Sequence, residues 1–417
     1  MTTTLPAAPT LGTMSNSATD RSLELIEVPS GPSAVTAIWD RLSAALVGDA
    51  AIAPIPQESS ALPPAVVSAI RDAVDPGRPV PMDTAVVIST SGSTGNPRGV
   101  MLTASALTSM TSHVNALAGG DPTWILAIPP TSIGGLNVVV RAKATGRLPV
   151  AVSSVGGAER FTDHAFAEAV ETAESFDRPI AVSLVPTQLP RLLATDSGRK
   201  ALARCSLILV GGAALAPQAA RDCDEAGITV TTTYGMTETS GGCVLNGVPL
   251  PGVDINVDEN DQRISLSGPM LAQGYRDGAN ETFGRGWLRT NDRGRWINGT
   301  LQVIGRLDDV VSIQGVNVDL LAIEDRLTDH PEIHNVIIVP TFDANHDVRI
   351  AMIYTGDEID PKDVSARITP GLGSIAVPTS FHRVTEFATT ASGKVDRRAT
   401  TQAVGLEPAE TDDEDLV

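Results

Sequence analysis

The chain has 417 residues, 42% of them hydrophobic, and its 49 Asp and Glu outnumber its 30 Lys and Arg for a formal net charge of −19. That length predicts more than one domain, and the acidic balance argues against nucleic acid or an anionic membrane as partner. No apolar run approaches the roughly 18 residues of a membrane span. Three cysteines without metal-ligand spacing favour a reducing, cytoplasmic location.

The chain changes its pattern three times. Residues 1–20 are rich in Thr, Ala, Ser and Pro, which predicts disorder. From there to about residue 250, apolar runs typical of strands alternate with helical patterns such as 34–48, 64–74 and 161–175, which predicts parallel-type sheets covered by helices. Residues 252–306 alternate as short strands, with a hairpin turn at Asn298-Gly299.

We therefore predict an α/β fold with a large domain at 21–306, of which 252–306 is a β-rich subdomain. A small α+β domain follows at 307–402, because a helical pattern at Leu320–Leu327 and a later short one alternate there with several predicted strands. Residues 403–417 end the chain as an acidic tail that we predict to be disordered.

A loop rich in hydroxyl groups and glycine follows the predicted strand Ala85–Ile88, and a helical pattern from Thr103 to Leu117 comes after the loop. Glycine lets backbone N–H groups approach phosphate, hydroxyls donate further hydrogen bonds, and a cation meets the charge. The sequence does not match a Walker A loop, and an ordinary polar surface turn is the alternative for such a loop alone. The loop residues in question are Ser89-Thr-Ser-Gly-Ser-Thr-Gly95, followed by Arg98.

Together with four later motifs, this loop resembles the signature of the adenylate-forming enzymes, which include acyl-CoA synthetases, peptide-synthetase adenylation domains and luciferases. The later motifs are Leu209-Val-Gly-Gly-Ala-Ala-Leu215, Thr233-Tyr-Gly-Met-Thr-Glu-Thr239, Gly286-Trp-Leu-Arg-Thr-Asn-Asp292 with Gly305-Arg-Leu-Asp-Asp309, and Thr390-Ala-Ser-Gly-Lys-Val-Asp396. The resemblance implies ATP or AMP binding by Thr90, Ser91, Gly92, Ser93, Thr94, Gly95, Arg98, Gly211, Gly212, Tyr234, Asp292 and Arg306.

The chemistry of these side chains fits the implied nucleotide. Tyr234 offers a ring to stack on adenine, and Thr237 offers a donor to the α-phosphate. Glu238 offers a hard oxygen for Mg²⁺, although Thr-Glu is also ordinary at the start of a capped helix. The resemblance implies that Asp292, assisted by Arg306, holds the two ribose hydroxyls, for which a carboxylate is a suitable acceptor.

The resemblance also implies a catalytic role for Lys394 on a small domain that is mobile. Asp308 takes the hinge position between the two domains, and Gly315 lies in a loop that the moving domain presents to CoA. Where the family usually has lysine in the glycine-rich loop this chain has Arg98, which can serve bidentately on pyrophosphate oxygens.

Three segments between the motifs, Ser183–Leu189, Thr233–Val244 and Gly268–Arg276, resemble the o-succinylbenzoate–CoA ligases of menaquinone synthesis. That resemblance implies an AMP-forming ligase acting on ATP, an aryl dicarboxylate and CoA. Thr131 and Ser132 stand where the family often has histidine, and we predict that both contact the acid.

Arg141, just after them, is the candidate cation for the acid's second carboxylate, the alternative being a surface residue at a strand end. A ligase for another acid and a non-catalytic nucleotide-binding homologue also stay open, as does the oligomeric state.

Overall fold

The computed structural model describes residues 20–59, 62, 64–90, 97–157, 159–313, 316–342, 348–390 and 394–406. Almost all of the predicted disordered segment 1–20 lies outside these ranges. Among the described helices, none combines the length and the apolar composition needed to cross a membrane. The helices are α1 (Ser33–Leu46), α2 (Pro64–Val74), α3 (Ala104–Thr108), α4 (Thr111–Leu117), α5 (Ile133–Ala144), α6 (Asp163–Glu174), α7 (Leu189–Leu193), α8 (Asp196–Ala203), α9 (Pro217–Glu225), α10 (Leu320–Leu327), α11 (Pro361–Leu372) and α12 (Arg397–Ala403).

The strands fall into three larger sheets and two short pairs. They are β1 (Asp20–Arg21), β2 (Glu24–Val28), β3 (Ile52–Pro56), β4 (Val80–Pro81), β5 (Thr84–Ser89), β6 (Gly99–Thr103), β7 (Thr123–Leu126), β8 (Val150–Ala151), β9 (Ile180–Leu184), β10 (Leu207–Gly211), β11 (Thr231–Met236), β12 (Gly241–Leu245), β13 (Val248–Pro249), β14 (Asp254–Val257), β15 (Arg263–Ser267), β16 (Gly274–Tyr275), β17 (Phe283–Gly284), β18 (Trp287–Ile297), β19 (Thr300–Arg306), β20 (Val310–Ile313), β21 (Val316–Asp319), β22 (Ile333–Phe342), β23 (Val348–Gly356) and β24 (Ser380–Arg383). A further three-stranded sheet lies near the C-terminus.

The largest sheet has seven strands in the order β13-β12-β11-β10-β9-β7-β8. Strands β8, β7, β9, β10 and β11 pair in parallel, whereas β12 and β13 add antiparallel to one edge. Strand β9, the middle one of the five parallel strands, is buried along its whole length, as expected of a parallel strand covered on both faces. The predicted parallel-type sheet is confirmed, and its carboxyl edge is where open α/β sheets place their ligands.

A second, five-stranded sheet has the order β16-β6-β5-β3-β2 and corrects one prediction. The glycine-rich loop joins β5 to β6, which pair antiparallel with Ile88 opposite Val100, so it connects two strands rather than a strand and a helix. Val100 and Leu102 are fully buried, while Met101 and Thr103 are partly exposed. This alternation of buried and exposed residues is typical of a strand, whereas we expected a loop here. The predicted helix 103–117 is instead the two short helices α3 and α4.

The buried residues divide into clusters along the chain. The main cluster runs from Ile26 to Leu301 and joins both large sheets through α1 and α5, and a smaller one lies under α2. Two further clusters, beginning at Val311, cover the two faces of the β22-β23-β24 sheet. The domain boundaries stay a prediction, with which this division of the core agrees.

The β-rich subdomain forms the four-strand order β14-β15-β18-β17, with β19 paired to β18. Asn298 and Gly299 both have positive φ, +50° and +83°, as the predicted hairpin turn between β18 and β19 requires. The start of the predicted tail needs correction, because α12 ends only at Ala403 and the partly buried Val404 and Leu406 pack against the last sheet. Residues 407–417 lie outside the described part of the chain.

Arg276 links the β-rich subdomain to α2 through hydrogen bonds. Its side chain is 3% exposed and its guanidinium donates hydrogen bonds to four carbonyl oxygens at and beyond the end of α2, those of Val74, Asp75, Arg78 and Pro79. Replacing Arg276 with Met removes every one of these donors, and leaving even one buried acceptor unpaired costs about 1–3 kcal/mol.

We therefore expect Arg276→Met to lower the free energy of unfolding by roughly 3 kcal/mol or more in denaturant titration. Arg263→Met is the control, because Arg263 also donates to a carbonyl oxygen, that of Thr290, but is less buried. Equal losses for the two variants would contradict a special role for Arg276.

Candidate active site

Tyr234, Asp292 and Arg306 come together at one end of β11. The Tyr234 hydroxyl donates to Asp292 Oδ2 at 2.8 Å, and Arg306 Nη1 donates to Asp292 Oδ1 at 3.2 Å. Asp292 and Arg306 are opposite each other in the β18–β19 ladder, which fixes the pair. Burial raises the pKa of the Asp292 carboxyl, against the lowering effect of Arg306. Each carboxylate oxygen still has a lone pair for a hydroxyl donor such as those of ribose.

Glu238 lies in a single turn of 3₁₀ helix, Thr237–Thr239, directly after β11. Ser240 follows with φ +51°, a left-handed conformation that ends the turn. The Glu238 carbonyl accepts from the N–H of Ala272, and its carboxylate Oε1 accepts from the hydroxyl of Tyr275 at 2.8 Å. Both its main chain and its side chain are therefore held, with Thr237 next to it at the entrance of the turn.

Lys394 lies over the glycine turn that follows β10. A Cβ built on Gly212 would be 2.8 Å from Lys394 Cε and 3.5 Å from its Nζ, and Gly212 has φ +87°. Gly211 is packed just as closely, because a Cβ there would clash with the Thr233 hydroxyl. Burial lowers the pKa of the Lys394 ammonium, and the nearby charge of Glu238 opposes that shift. The structure thus places the predicted catalytic lysine beside the turn Gly211-Gly212 and near Glu238.

This contact makes a prediction about Gly212. Gly212→Ala should slow adenylate formation roughly tenfold, since the new methyl group would lie 2.8 Å from Lys394 Cε and displace the side chain, and one such preorganised charge typically contributes 10²–10³ in rate. Gly227→Ala is the matched control, because Gly227 also has positive φ, +67°, but a methyl group added there would have no described atom within 4 Å. Single-turnover measurement of pyrophosphate release would check this, and equal rates for both variants would contradict it.

Of the glycine-rich loop, the structure describes the two ends. Thr90 and Arg98 are joined by hydrogen bonds from Thr90 N to Arg98 O and from Arg98 N to Thr90 Oγ1. The Arg98 guanidinium makes two bonds to Asp277, at 2.8 and 2.9 Å, and lies 3.5 Å from the ring centroid of Tyr275. Ser91, Gly92, Ser93, Thr94 and Gly95, all predicted to bind phosphate, lie outside the described residues.

The predicted acyl side begins at the entrance to α5. Ser132 is the N-cap of this helix, accepting from Gly135 N at 3.5 Å and donating to Pro129 O at 2.8 Å. Thr131 is half-buried beside it. One turn further, Asn137 donates to the carbonyl of Ser240 at 2.7 Å, so this face of α5 adjoins the Glu238 turn. The substrate roles of Thr131 and Ser132 stay a prediction.

Arg141 lies on the same face of α5, one turn beyond Asn137, and is 7% exposed. This corrects the alternative of a surface position at a strand end, because the segment is a buried helix. The guanidinium lies 5.3 Å from the ring centroid of Trp124, and no described residue forms a hydrogen bond or ion pair with it. Burial lowers its pKa to about 10, so it stays charged at neutral pH. A buried, unpaired cation is costly without an anionic partner.

Asp308 lies between the two large groups of elements, in the 3₁₀ turn Leu307–Asp309. Both of its carboxylate oxygens accept from Arg306, which also contacts Asp292. The predicted hinge residue and the predicted ribose residue thus share one guanidinium. Gly315, predicted to face CoA, lies outside the described residues.

The residues of this site fit a magnesium ion that is bound together with nucleotide. The described residues hold no group of three or more His, Cys, Asp or Glu suited to a metal. Glu238 supplies a hard carboxylate oxygen near Lys394, and Mg²⁺ is commonly bound through one or two carboxylates plus substrate phosphates. The donor set therefore suits Mg²⁺ carried by ATP.

Sequence reasoning did not identify Tyr275, Asp277 or Asn137 as parts of this site. Their contacts to Glu238, Arg98 and the Ser240 carbonyl join segments 37, 179 and 103 residues apart. The sequence signal for Tyr275 was its place in Gly268–Arg276, a segment that resembles the ligases but whose tyrosine had no predicted role.

Comparison with known proteins covers most of the chain. The AMP-binding enzyme family model matches residues 18–275. A probable 2-succinylbenzoate–CoA ligase from Mycobacterium tuberculosis is 36% identical over 388 residues, which cover 90% of this chain and 97% of that protein.

Two solved structures share the fold. The o-succinylbenzoate CoA synthetase of Bacillus subtilis in complex with its acyl-adenylate intermediate gives a TM-score of 0.68 at 21% identity, covering 95% of this chain and 90% of that one. ATP-bound MatB from Rhodopseudomonas palustris gives 0.74 at 19% identity, covering 92% and 89%. At these identities the likeness concerns the fold, and it confirms the predicted α/β architecture.

Proposed function

This chain belongs to the AMP-binding enzyme family, and we propose that it is an AMP-forming ligase that joins 2-succinylbenzoate to CoA. The observation that carries the proposal is Lys394 lying over Gly212 near Glu238, which brings a cation to a glycine turn at the carboxyl edge of the large sheet. The Mycobacterium tuberculosis relative, which aligns over nearly its whole length, supports the choice of acid.

In the first half-reaction we assign the ribose to Asp292 and the adenine to the ring of Tyr234. A carboxylate oxygen of the acid attacks the α-phosphorus, the bond to the β-phosphate oxygen breaks, and pyrophosphate leaves. Lys394 and Thr237 stabilise the negative charge that develops on the α-phosphate oxygens. Mg²⁺, which Glu238 would hold with the nucleotide, supplies positive charge to the phosphates. Positioning of the two substrates accounts for much of the rate.

In the second half-reaction the CoA thiolate attacks the acyl carbonyl, the bond to AMP breaks, and the thioester and AMP form. We propose that residues 307–402 rotate about Asp308 between the two steps, withdrawing Lys394 and presenting the loop that contains Gly315. The rotation would separate the ion pairs Arg160–Glu386 and Arg221–Asp329. Both pairs are exposed, and such pairs contribute about 0–1 kcal/mol each, so they oppose the motion little.

The acid's second carboxylate is the proposed partner of Arg141. Arg141 is eight positions after Ile133, so at about 1.5 Å per residue its Cα lies roughly 12 Å along α5 from the start of the helix. An acid with a second anionic group far from its reacting carboxylate offers a partner for this buried cation, whereas a monocarboxylate does not. The three cysteines are free thiols, which suits a reducing compartment. We therefore place this step of menaquinone synthesis in the cytoplasm.

A panel of acids tests the proposal. Purified protein is incubated with ATP, Mg²⁺ and each acid, first without and then with CoA, while pyrophosphate and thioester are measured. We expect the highest kcat/KM for 2-succinylbenzoate and thioester only when CoA is present. Pyrophosphate release with a different acid at a higher kcat/KM would replace the substrate, and no release with any acid would reject the ligase.

A further inference from the structure

Tyr275 connects three parts of the proposed active site. Its hydroxyl donates to Glu238 Oε1 at 2.8 Å, and its ring is 7% exposed. One neighbour of the ring is Phe283, in an edge-to-face contact with centroids 5.5 Å apart, and another is the Arg98 guanidinium at 3.5 Å. Burial, followed by the charge of Glu238, raises the pKa of the Tyr275 phenol, so the hydroxyl remains a donor at neutral pH.

The backbone around Tyr275 is fixed by the strand that leaves the glycine-rich loop. In the β6–β16 pair, Tyr275 lies opposite Val100 and Gly274 opposite Met101. The N–H of Arg276 donates to the carbonyl of Gly99, immediately after Arg98. The position of the Tyr275 hydroxyl is therefore tied to the loop's exit strand.

Arginine at position 98 has a physical role in this arrangement. Its planar fork binds both oxygens of Asp277, and Nη2 also donates to the carbonyl of Ala279. The same plane lies against the Tyr275 ring, as a guanidinium does in a cation–π contact. A lysine at this position supplies one ammonium group and cannot form the fork and the stacked contact together. Arg98 thus binds Asp277 and the Ala279 carbonyl and packs on the Tyr275 ring, in addition to its predicted contact with phosphate.

We propose that Tyr275 is a positioning residue that holds one oxygen of Glu238, so that the other is presented to the cation carried by the nucleotide, and that Arg98 fixes the Tyr275 ring. The inference rests on the proposed function, because it needs a metal–nucleotide complex at Glu238. Tyr275 itself contacts neither nucleotide nor acid and acts through Glu238.

Nucleotide binding without catalysis tests this role. The probe is an ATP analogue with a methylene group between the α- and β-phosphorus atoms, which cannot release pyrophosphate. Its affinity is measured by calorimetry over a series of Mg²⁺ concentrations, and AMP without metal is measured in parallel. Tyr275→Phe keeps the ring and removes only the hydroxyl.

We expect Tyr275→Phe to lose roughly five- to tenfold of the Mg²⁺-dependent gain in analogue affinity, the usual net effect of one hydrogen bond, with AMP affinity and melting temperature unchanged. Arg98→Lys should lose part of the same gain. In a Glu238→Gln background, Tyr275→Phe should add no further loss.

Two results would overturn the inference while leaving the proposed function intact. One is an unchanged Mg²⁺-dependent gain in Tyr275→Phe, and the other is an equal loss for the analogue and for AMP. Wild-type protein that does not bind the analogue at any Mg²⁺ concentration would instead reject the proposed function and the inference with it.

Discussion

Lys394→Ala is expected to lose adenylate formation by about 10²–10³-fold, the usual effect of removing one preorganised charge at a developing anion. In the structure, Lys394 lies over Gly212 and near Glu238, the arrangement that the first half-reaction requires. Once the adenylate exists, the proposed rotation takes Lys394 away from it. The variant should therefore convert supplied acyl-adenylate and CoA to thioester at close to the wild-type rate. Each half-reaction is measured separately in single turnover.

Asp308 variants supply the converse experiment and need a control. Asp308→Pro stiffens the turn because proline fixes φ, but it also removes the carboxylate that binds Arg306. Asp308→Ala removes the carboxylate alone. We expect both variants to weaken nucleotide binding alike and only Asp308→Pro to lose thioester formation further. For the lysine variant, an equal loss of rate in both half-reactions at unchanged stability would contradict the proposed rotation of residues 307–402 between the two steps.

Arg141→Leu should weaken the use of 2-succinylbenzoate by more than about 30-fold in kcat/KM. Removing one partner of a desolvated charge pair costs about 2–5 kcal/mol, and Arg141 is 7% exposed without an anionic partner among the described residues. In the free enzyme the same change removes a costly buried charge, so the melting temperature should stay level or rise.

The control substrate for this experiment is the analogue of 2-succinylbenzoate that lacks the ring carboxylate. Wild-type protein should use this monocarboxylate poorly, and Arg141→Leu should use it no worse. Arg147→Leu controls for loss of an arginine, because Arg147 lies just beyond α5 and is less buried. Equal losses for both acids in Arg141→Leu would assign Arg141 to packing.

The sequence predicted well whatever depends on short-range patterns. The helices 34–48 and 64–74 appear as Ser33–Leu46 and Pro64–Val74, because their apolar spacing and flanking prolines are local properties. The turn at Asn298-Gly299 was predictable for the same reason, since both residues tolerate positive φ. Motif order also identified Tyr234, Asp292 and Arg306, which the structure brings together.

The features that the sequence did not predict depend on packing between distant segments. Val100 and Leu102 form a strand because β5 and β16 lie on either side of them, which the local sequence does not reveal. The apolar run around Arg141 fits either a strand or a buried helix, since periodicity disappears when all sides are covered. The link from Arg98 through Tyr275 to Glu238 joins three distant segments, and each contact depends on side-chain geometry alone.

The glycine at position 212 leaves the free space in which the side chain of Lys394 lies, in addition to the attraction that Glu238 exerts on its ammonium. No carboxylate forms a salt bridge with the Lys394 ammonium in the described residues, and the surface beneath its side chain is bare main chain. A single added carbon atom would lie 2.8 Å from Lys394 Cε, so the lysine side chain would have to shift although no charge is altered. In engineering terms, side-chain volume at this one position is a means of adjusting the balance between the two half-reactions.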